Sequence, residues 1–219
     1  RSETFRTGQQ IRLSDNRIAT IEDIARYDAS GSDRIQLFIE ASLRVRTVDD
    51  IPRFGGTLVQ EGATIQLPGD QSIVTATVQR VGGFDRSTTN VLVSDTLTDS
   101  EARDLSSGDV YTVSGRTVAT VNSVSVYDTE QPDRKQVFAN LTLQTVAGAN
   151  DPRFGSTVVR QGATVPFRTD AYELEGQIER VNQNIQQSST EVLVYDTINA
   201  DYAADIVAGD QYVVAGRSI

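Results

Sequence analysis

Residues 15–28 read DNRIATIEDIARYD, and residues 115–128 read GRTVATVNSVSVYD, the same text a hundred positions on. The correspondence continues. Pro52-Arg53-Phe54-Gly55 returns as Pro152-Arg153-Phe154-Gly155 and Gly62-Ala63-Thr64 as Gly162-Ala163-Thr164; after a one-residue slip, Val91-Leu92-Val93 returns as Val192-Leu193-Val194 and Gly108-Asp109 as Gly209-Asp210. A period this long is too large for a solenoid repeat and large enough for each copy to bury a core of its own. The duplication predicts two units, residues 8–107 and 108–208, with residues 209–219 beginning a third.

Local patterning sets the class. Over residues 34–46, Ile35, Leu37, Ile39, Ala41, Leu43 and Val45 alternate with Gln36, Glu40, Ser42, Arg44 and Arg46, and over residues 135–146, Val137, Ala139, Leu141 and Leu143 repeat the alternation. Period 2 is the signature of a half-buried strand and excludes a helix. Each copy also contains a weaker half-repeat. Four segments start at Gly8, Gly62, Gly108 and Gly162 and run strand, turn, returning strand, with turn residues such as Ser14-Asp15-Asn16, Pro68-Gly69-Asp70 and Ser114-Gly115. A third strand follows each hairpin, such as residues 88–95 or 189–196. Three strands per half predict an all-β chain of two tandem, pseudo-twofold, six-stranded β-barrel-like repeats.

Helix is expected only in short connectors. Thr98-Asp99-Ser100-Glu101 has capping-box spacing, with Ala102 and Leu105 turned inward, and residues 199–206 are its counterpart. The count of units leaves one strand over, at residues 10–13 or 212–215. A surplus strand either pairs within its own chain or completes a sheet in a neighbour.

Composition narrows the chemistry. The 219 residues include no His, Cys, Met or Trp, so disulfides, imidazole or thiolate catalysis and His/Cys metal ligation are closed to the chain. A Ser-Lys dyad would need Lys135, the single lysine, which sits beside Arg134 at a strand start where solvation is the default. Carboxylate pairs Asp95/Asp99 and Asp196/Asp201 flank strand-to-helix turns and read as caps rather than as a glycosidase pair. Asp28 and Asp128 lack the ligand cadence of a calcium loop. No catalytic residue, metal or cofactor is expected.

The formal net charge of −10, with one lysine beside nineteen arginines, reads as a halophile's surface. In molar salt the Debye length falls to about 3 Å, so repulsion across an acidic surface costs little. The same surface excludes nucleic acid, which requires basic stripes. No apolar run approaches the roughly 20 residues of a bilayer span. The chain begins at Arg1 rather than Met, and the expectation is a trimmed terminus with a signal or anchor upstream.

Two features invite a binding role. Arg53 with Phe54, and Arg153 with Phe154, could form paired patches of an aromatic face and a cation, although such a Phe more often plugs a barrel end. Asn140-Leu141-Thr142 is an N-glycosylation sequon, and the alternation puts Asn140 on the face opposite Val137, Ala139 and Leu141, where it is expected to be accessible.

With the repeat, the acidic surface and segments such as VSGRTVATVNSVSVYD, PRFGSTVVRQGATV and TDAYELEGQIERV in view, the chain resembles an uncharacterised family of haloarchaeal proteins, a domain of unknown function. The resemblance implies an N-terminal membrane anchor, absent from this chain, followed by tandem β-rich repeats at the cell surface. It brings no catalytic residue. The Gly-Asp pairs at 108–109 and 209–210 also resemble the Gly-Asp turn of cradle-loop barrels, in which the aspartate ties the turn by side-chain hydrogen bonds. The expectation is therefore a non-catalytic, extracellular cell-envelope module of a halophilic archaeon, a structural spacer or binding domain. Its partners would be other envelope proteins or itself, with contact to the membrane only through the anchor. The alternatives are a filament subunit linked by strand addition and, less favoured, a carboxylate-based hydrolase.

Overall fold

The computed structural model describes residues 5–29, 34–48, 50–68, 73–83, 85–147, 151–183, 190–203 and 205–218. The chain is mostly β, with one curled half-barrel sheet. The first copy supplies β1 (Gln10–Leu13), β2 (Asn16–Asp28) and β3 (Ile35–Leu43), which form a three-stranded sheet in that order. The short strands β4 (Arg46–Val48), β5 (Ile51–Phe54) and β6 (Thr57–Leu58) form a second sheet, and β7 (Thr64–Pro68) and β8 (Ile73–Thr77) form a hairpin. Next come β9 (Arg86–Thr98) and α1 (Asp99–Asp104).

The second copy repeats the series as β10 (Val110–Val113), β11 (Arg116–Asp128), β12 (Arg134–Ala147), β13 (Pro152–Phe154), β14 (Thr157–Val158), β15 (Thr164–Arg168) and β16 (Glu173–Val181). Here the pieces are joined. A single eight-stranded sheet runs β10-β11-β12-β9-β16-β15, with β13 and β14 attached to the end of β12. The chain closes with α2 (Ala200–Ala203), β17 (Val213–Val214) and β18 (Arg217–Ser218). Among the described residues no helix is long and apolar enough to cross a membrane.

The duplication extends to the irregularities. The register of β1 on β2 shifts between Ile11 and Arg12, and that of β10 on β11 shifts between Tyr111 and Thr112. The β2–β3 pair shifts between Ile21 and Asp23, and the β11–β12 pair between Val121 and Ser123. The tight hairpin turns repeat as well: Ser14 and Asp15, Ser114 and Gly115, and Ala215 and Gly216 all have positive φ. That is the type I′ geometry, whose twist matches the flanking strands. For the expected turn at residues 68–70, positions 69 and 70 lie outside the described residues.

Helix α1 forms as expected. The Thr98 hydroxyl accepts from the Glu101 N–H, the Glu101 carboxylate accepts from the Thr98 N–H at 3.0 Å, and Ala102 and Leu105 are fully buried. Both Gly-Asp turns are tied by their aspartates. Asp109 accepts from the Ser106 N–H at 2.8 Å and Asp210 from the Val207 N–H at 2.9 Å.

One open alternative closes and one expectation changes. Both candidate surplus strands pair within the chain, β1 with β2 and β17 with β18. The strand expected over residues 189–196 is not formed over its described part, 190–196, where among the described residues no strand pairs with it. Residue 189 lies outside the described residues.

Candidate functional site: a strand donated between repeats

β9 belongs by sequence to the first copy, yet it lies inside the sheet of the second. It pairs with β12 without interruption from Arg134↔Thr98 to Val146↔Arg86, and on its other edge with β16 from Gln177↔Ser94 to Val181↔Val91. Alternation sends Val91 and Val93 into the core, where they meet Ala139, Leu141, Ile178 and Leu174. One contact is close enough to dictate a residue type. A Cβ added at Gly176, two residues before the Ile178 that pairs with Val93, would lie 2.8 Å from the Val93 Cβ, so position 176 accepts only glycine without a shift of its surroundings. On the β9–β12 pair, a hydroxyl cluster satisfies the buried polar atoms: Thr145 Oγ1 is 3.0 Å from Thr89 Oγ1 and 2.9 Å from Ser87 Oγ.

The second repeat is also seated on the first through side chains at the end of β2. Tyr27 is buried in the second repeat's core, stacks edge-on against Phe154 with ring centroids 5.2 Å apart, and donates to the Gln144 carbonyl at 2.9 Å. Burial pushes its phenol up to about 12 against an opposing pull from Arg86. Tyr111 donates to Asp28 at 2.5 Å, and its phenol is raised first by burial and then by that carboxylate. Arg86 pairs with Asp23 at 2.6 Å and donates to the Ile24 carbonyl, which also accepts from Arg116 at 3.1 Å. Gly155 is at φ +57, and a Cβ there would meet the Tyr27 Cβ at 3.1 Å; the equivalent Gly55 has open space. A shallow cleft between Tyr27, Asp28, Tyr111, Phe154 and Pro166 has room for about one water molecule.

The same clasp is laid out again at the far end of the second repeat. Tyr212 donates to Asp128 just as Tyr111 donates to Asp28, and Lys135 reaches Asp128 at 2.5 Å. Arg217 donates to the carbonyls of Ala102 and Leu105 at the end of α1, and Val214 enters the core. The β17–β18 hairpin therefore repeats the opening hairpin of a unit.

The residues singled out from sequence fall in other roles. Phe54 and Phe154 are buried, one in each of the two cores, so neither presents its ring face to a ligand. Arg53 and Arg153 tie their own turns, donating to the Gly56 carbonyl at 3.3 Å and the Ser156 carbonyl at 3.0 Å. These four residues are not assembled into one surface. Asn140 is 5 % exposed and its amide donates to Ser123 at 2.6 Å, so the accessibility expected of its outward face is not found. The reason is its place in an interior strand, with Ser123 opposite it on β11 and Leu92 on β9. Asp95 accepts from the N–H groups of Thr96 and Glu175, and Asp99 pairs with Arg103 at 2.7 Å, both structural duties. Among the described residues no group of three or more carboxylates is gathered as a metal site.

What sequence reasoning missed is the donated strand itself. A signal for it was present in Gly176, which replaces the alanine of the first copy at a position facing the core of a strand. Compared with protein-family models, with curated proteins and with solved structures, the chain matches none.

Proposed function

We propose that this chain is a non-catalytic structural module of the cell envelope of a halophilic archaeon, a spacer held outside the membrane. The observation that carries the reading is β9, a thirteen-residue strand of one repeat built into the middle of the next repeat's sheet. A flexible linker would let two domains swing, whereas a shared central strand makes them move together. In this reading each repeat is a six-stranded, barrel-like unit completed by a strand from the unit before it. The acidic, lysine-poor surface suits molar salt, and the resemblance to haloarchaeal surface proteins supports the location.

The test has two parts. Incubated in molar salt with a panel of glycans and esters, the purified chain is expected to turn over none of them, and hydrolysis of any would sink the reading. Its thermal midpoint is expected to rise steadily from 0.1 M to 3 M KCl, because screening relieves the repulsion of a net charge of −10. A midpoint independent of salt would argue against a halophilic origin. A second reading, a subunit joined to its neighbours by strand addition, is favoured by residues 190–198, which among the described residues pair with no strand.

A further inference from the structure

The two repeats each leave one half of a strand-donation joint unused. In the first repeat, β3 is the outer strand of its sheet and β8 the outer strand of its hairpin, and among the described residues neither has a strand on its free edge. Their counterparts β12 and β16 are the two strands between which β9 lies. The core side chains behind that slot are incompletely covered. Ile39, Ala41, Leu43, Val74, Ala76 and Val78 are all only partly buried against their core. Beyond the second repeat, residues 190–198 run TEVLVYDTI, aligned with TNVLVSDTL at residues 89–97 of β9. There Val192 and Val194 are 74 % and 82 % exposed, although the matching Val91 and Val93 are 1 % and 0 % exposed.

We infer that residues 190–198 of one copy of this chain insert between β3 and β8 of a second copy, joining copies head to tail. Transferring the β9 register by the repeat offset sets Val194 against Ile39, Val192 against Ala41 and Ile198 against Ile35. All three pairings are apolar, and the last replaces the Lys135↔Leu97 pair of the internal joint. Tyr195 falls opposite Phe38, an aromatic cross-strand pair. Backbone hydrogen bonds along both edges give affinity, and the alternate valines give register.

The joint between copies differs from the internal one in two ways. Ala76 stands where Gly176 stands, so the inserted strand meets a methyl group that β9 does not and must sit farther out than β9 sits. Ile11 stands where Tyr111 stands, and Tyr212 of the donor keeps Asp128, so the strand alone, without the Tyr–Asp clasp, makes the connection. The joint is therefore weaker than its internal counterpart, which suits a reversible contact between copies.

This rests on the structural-module reading, but its test reads assembly rather than absence of turnover, so the two fail separately. Sedimentation velocity of the whole chain in 3 M KCl, over a hundredfold range of concentration, is expected to show species growing past the dimer. Val194→Pro, in a segment with no strand partner of its own, is expected to leave the fold intact by circular dichroism and the chain monomeric. A fluorescent synthetic peptide of residues 190–198 is expected to bind the Val194→Pro chain and to cap wild-type assembly. Ala76→Gly is expected to tighten that peptide severalfold by removing the overpacked methyl. A chain that stays monomeric at every concentration overturns the inference, whether or not the peptide binds, since binding alone would mean the slot is filled from another source. Assembly that survives Val194→Pro overturns it equally, by placing the contact elsewhere.

Discussion

Ala139, Leu141 and Leu143 on β12 are sealed from solvent, whereas Ile39, Ala41 and Leu43, the same positions on β3, are only partly covered. Both sets carry the same alternation and face the same way on equivalent strands. The difference lies in a neighbour. β12 has β9 along thirteen residue pairs, and among the described residues β3 has no strand on that edge. The consequences spread beyond burial. With β9 beside it, β12 runs unbroken for fourteen residues and carries β13 at its end, while the first copy breaks into β3 and β4 and leaves β4–β6 as a sheet of their own. One strand therefore turns a set of hairpins into a half-barrel. Two sequences that share the same alternation have formed sheets of different completeness because completeness depends on a segment supplied from outside the repeat.

The sharpest way to break this comparison is to charge the two equivalent valines. Val93→Asp places a carboxylate at the centre of the second core with no partner, at a cost of upwards of about 4 kcal/mol. The second repeat is expected to unfold, read as loss of its cooperative thermal transition. Val194→Asp, in the exposed counterpart, is expected to shift stability by no more than about 0.5 kcal/mol. Similar losses from the two variants would mean that residues 190–198 are packed as β9 is.

A second, smaller contrast concerns the residues that face those valines. Gly176→Ala is expected to cost about 1–3 kcal/mol, since its methyl would overlap Val93. The reciprocal Ala76→Gly is expected to cost about 0.5–1 kcal/mol of stability through backbone entropy alone. Urea unfolding of both variants measures the asymmetry, and equal losses would remove steric fit as its cause.

The clasps come next. Tyr111→Phe deletes the bond to Asp28 in the partly buried joint between repeats, with an expected loss of about 1 kcal/mol. Tyr212→Phe deletes the same bond at the exposed end and is expected to cost less than about 0.5 kcal/mol. Crossing each with the matching Asp28→Asn or Asp128→Asn in a double-mutant cycle isolates the pair term.

The gentlest probe is pH. An unfolded tyrosine ionises near pH 10, whereas Tyr27 holds its proton to about 12 because it is buried in the joint. Below pH 10 both states are protonated and the group adds no pH dependence. Between 10 and 12 the unfolded chain releases a proton that the folded chain keeps, so stability falls as pH rises through that window. Tyr27→Phe is expected to flatten the fall in urea midpoint, although Tyr111 and Tyr172, also raised by burial, maintain part of it.

Much of the local structure was legible in order along the chain. The alternation at residues 34–46 and 135–146, the capping box at Thr98, the Gly-Asp turns and the tight hairpins at Ser14 and Ser114 depend on neighbours within a few positions and were found where the pattern placed them, except that the first strand breaks after Leu43 and resumes at Arg46. Phe54 and Phe154 are buried, in line with the plug preferred to a binding patch, whereas the accessibility of Asn140 was read less well. Period 2 assigns a side chain to a face, but whether that face is covered depends on the strands alongside. Asn140 is covered because β9 and β11 flank its strand; Phe54 and Phe154 are covered because each core closes over them.

The duplication, the all-β class and the exclusion of imidazole and thiol chemistry were determined by the sequence alone, because composition and short-range periodicity carry them. Which sheet β9 joins was decided only in three dimensions. Val91-Leu92-Val93 and Val192-Leu193-Val194 are identical triplets, equally suited to a central strand, and nothing local distinguishes them. One triplet is buried and the other exposed because a strand's hydrogen bonds and half its packing come from edges that other parts of the chain present. Those edges are filled by β9 between β12 and β16, whereas among the described residues no strand pairs with residues 190–198.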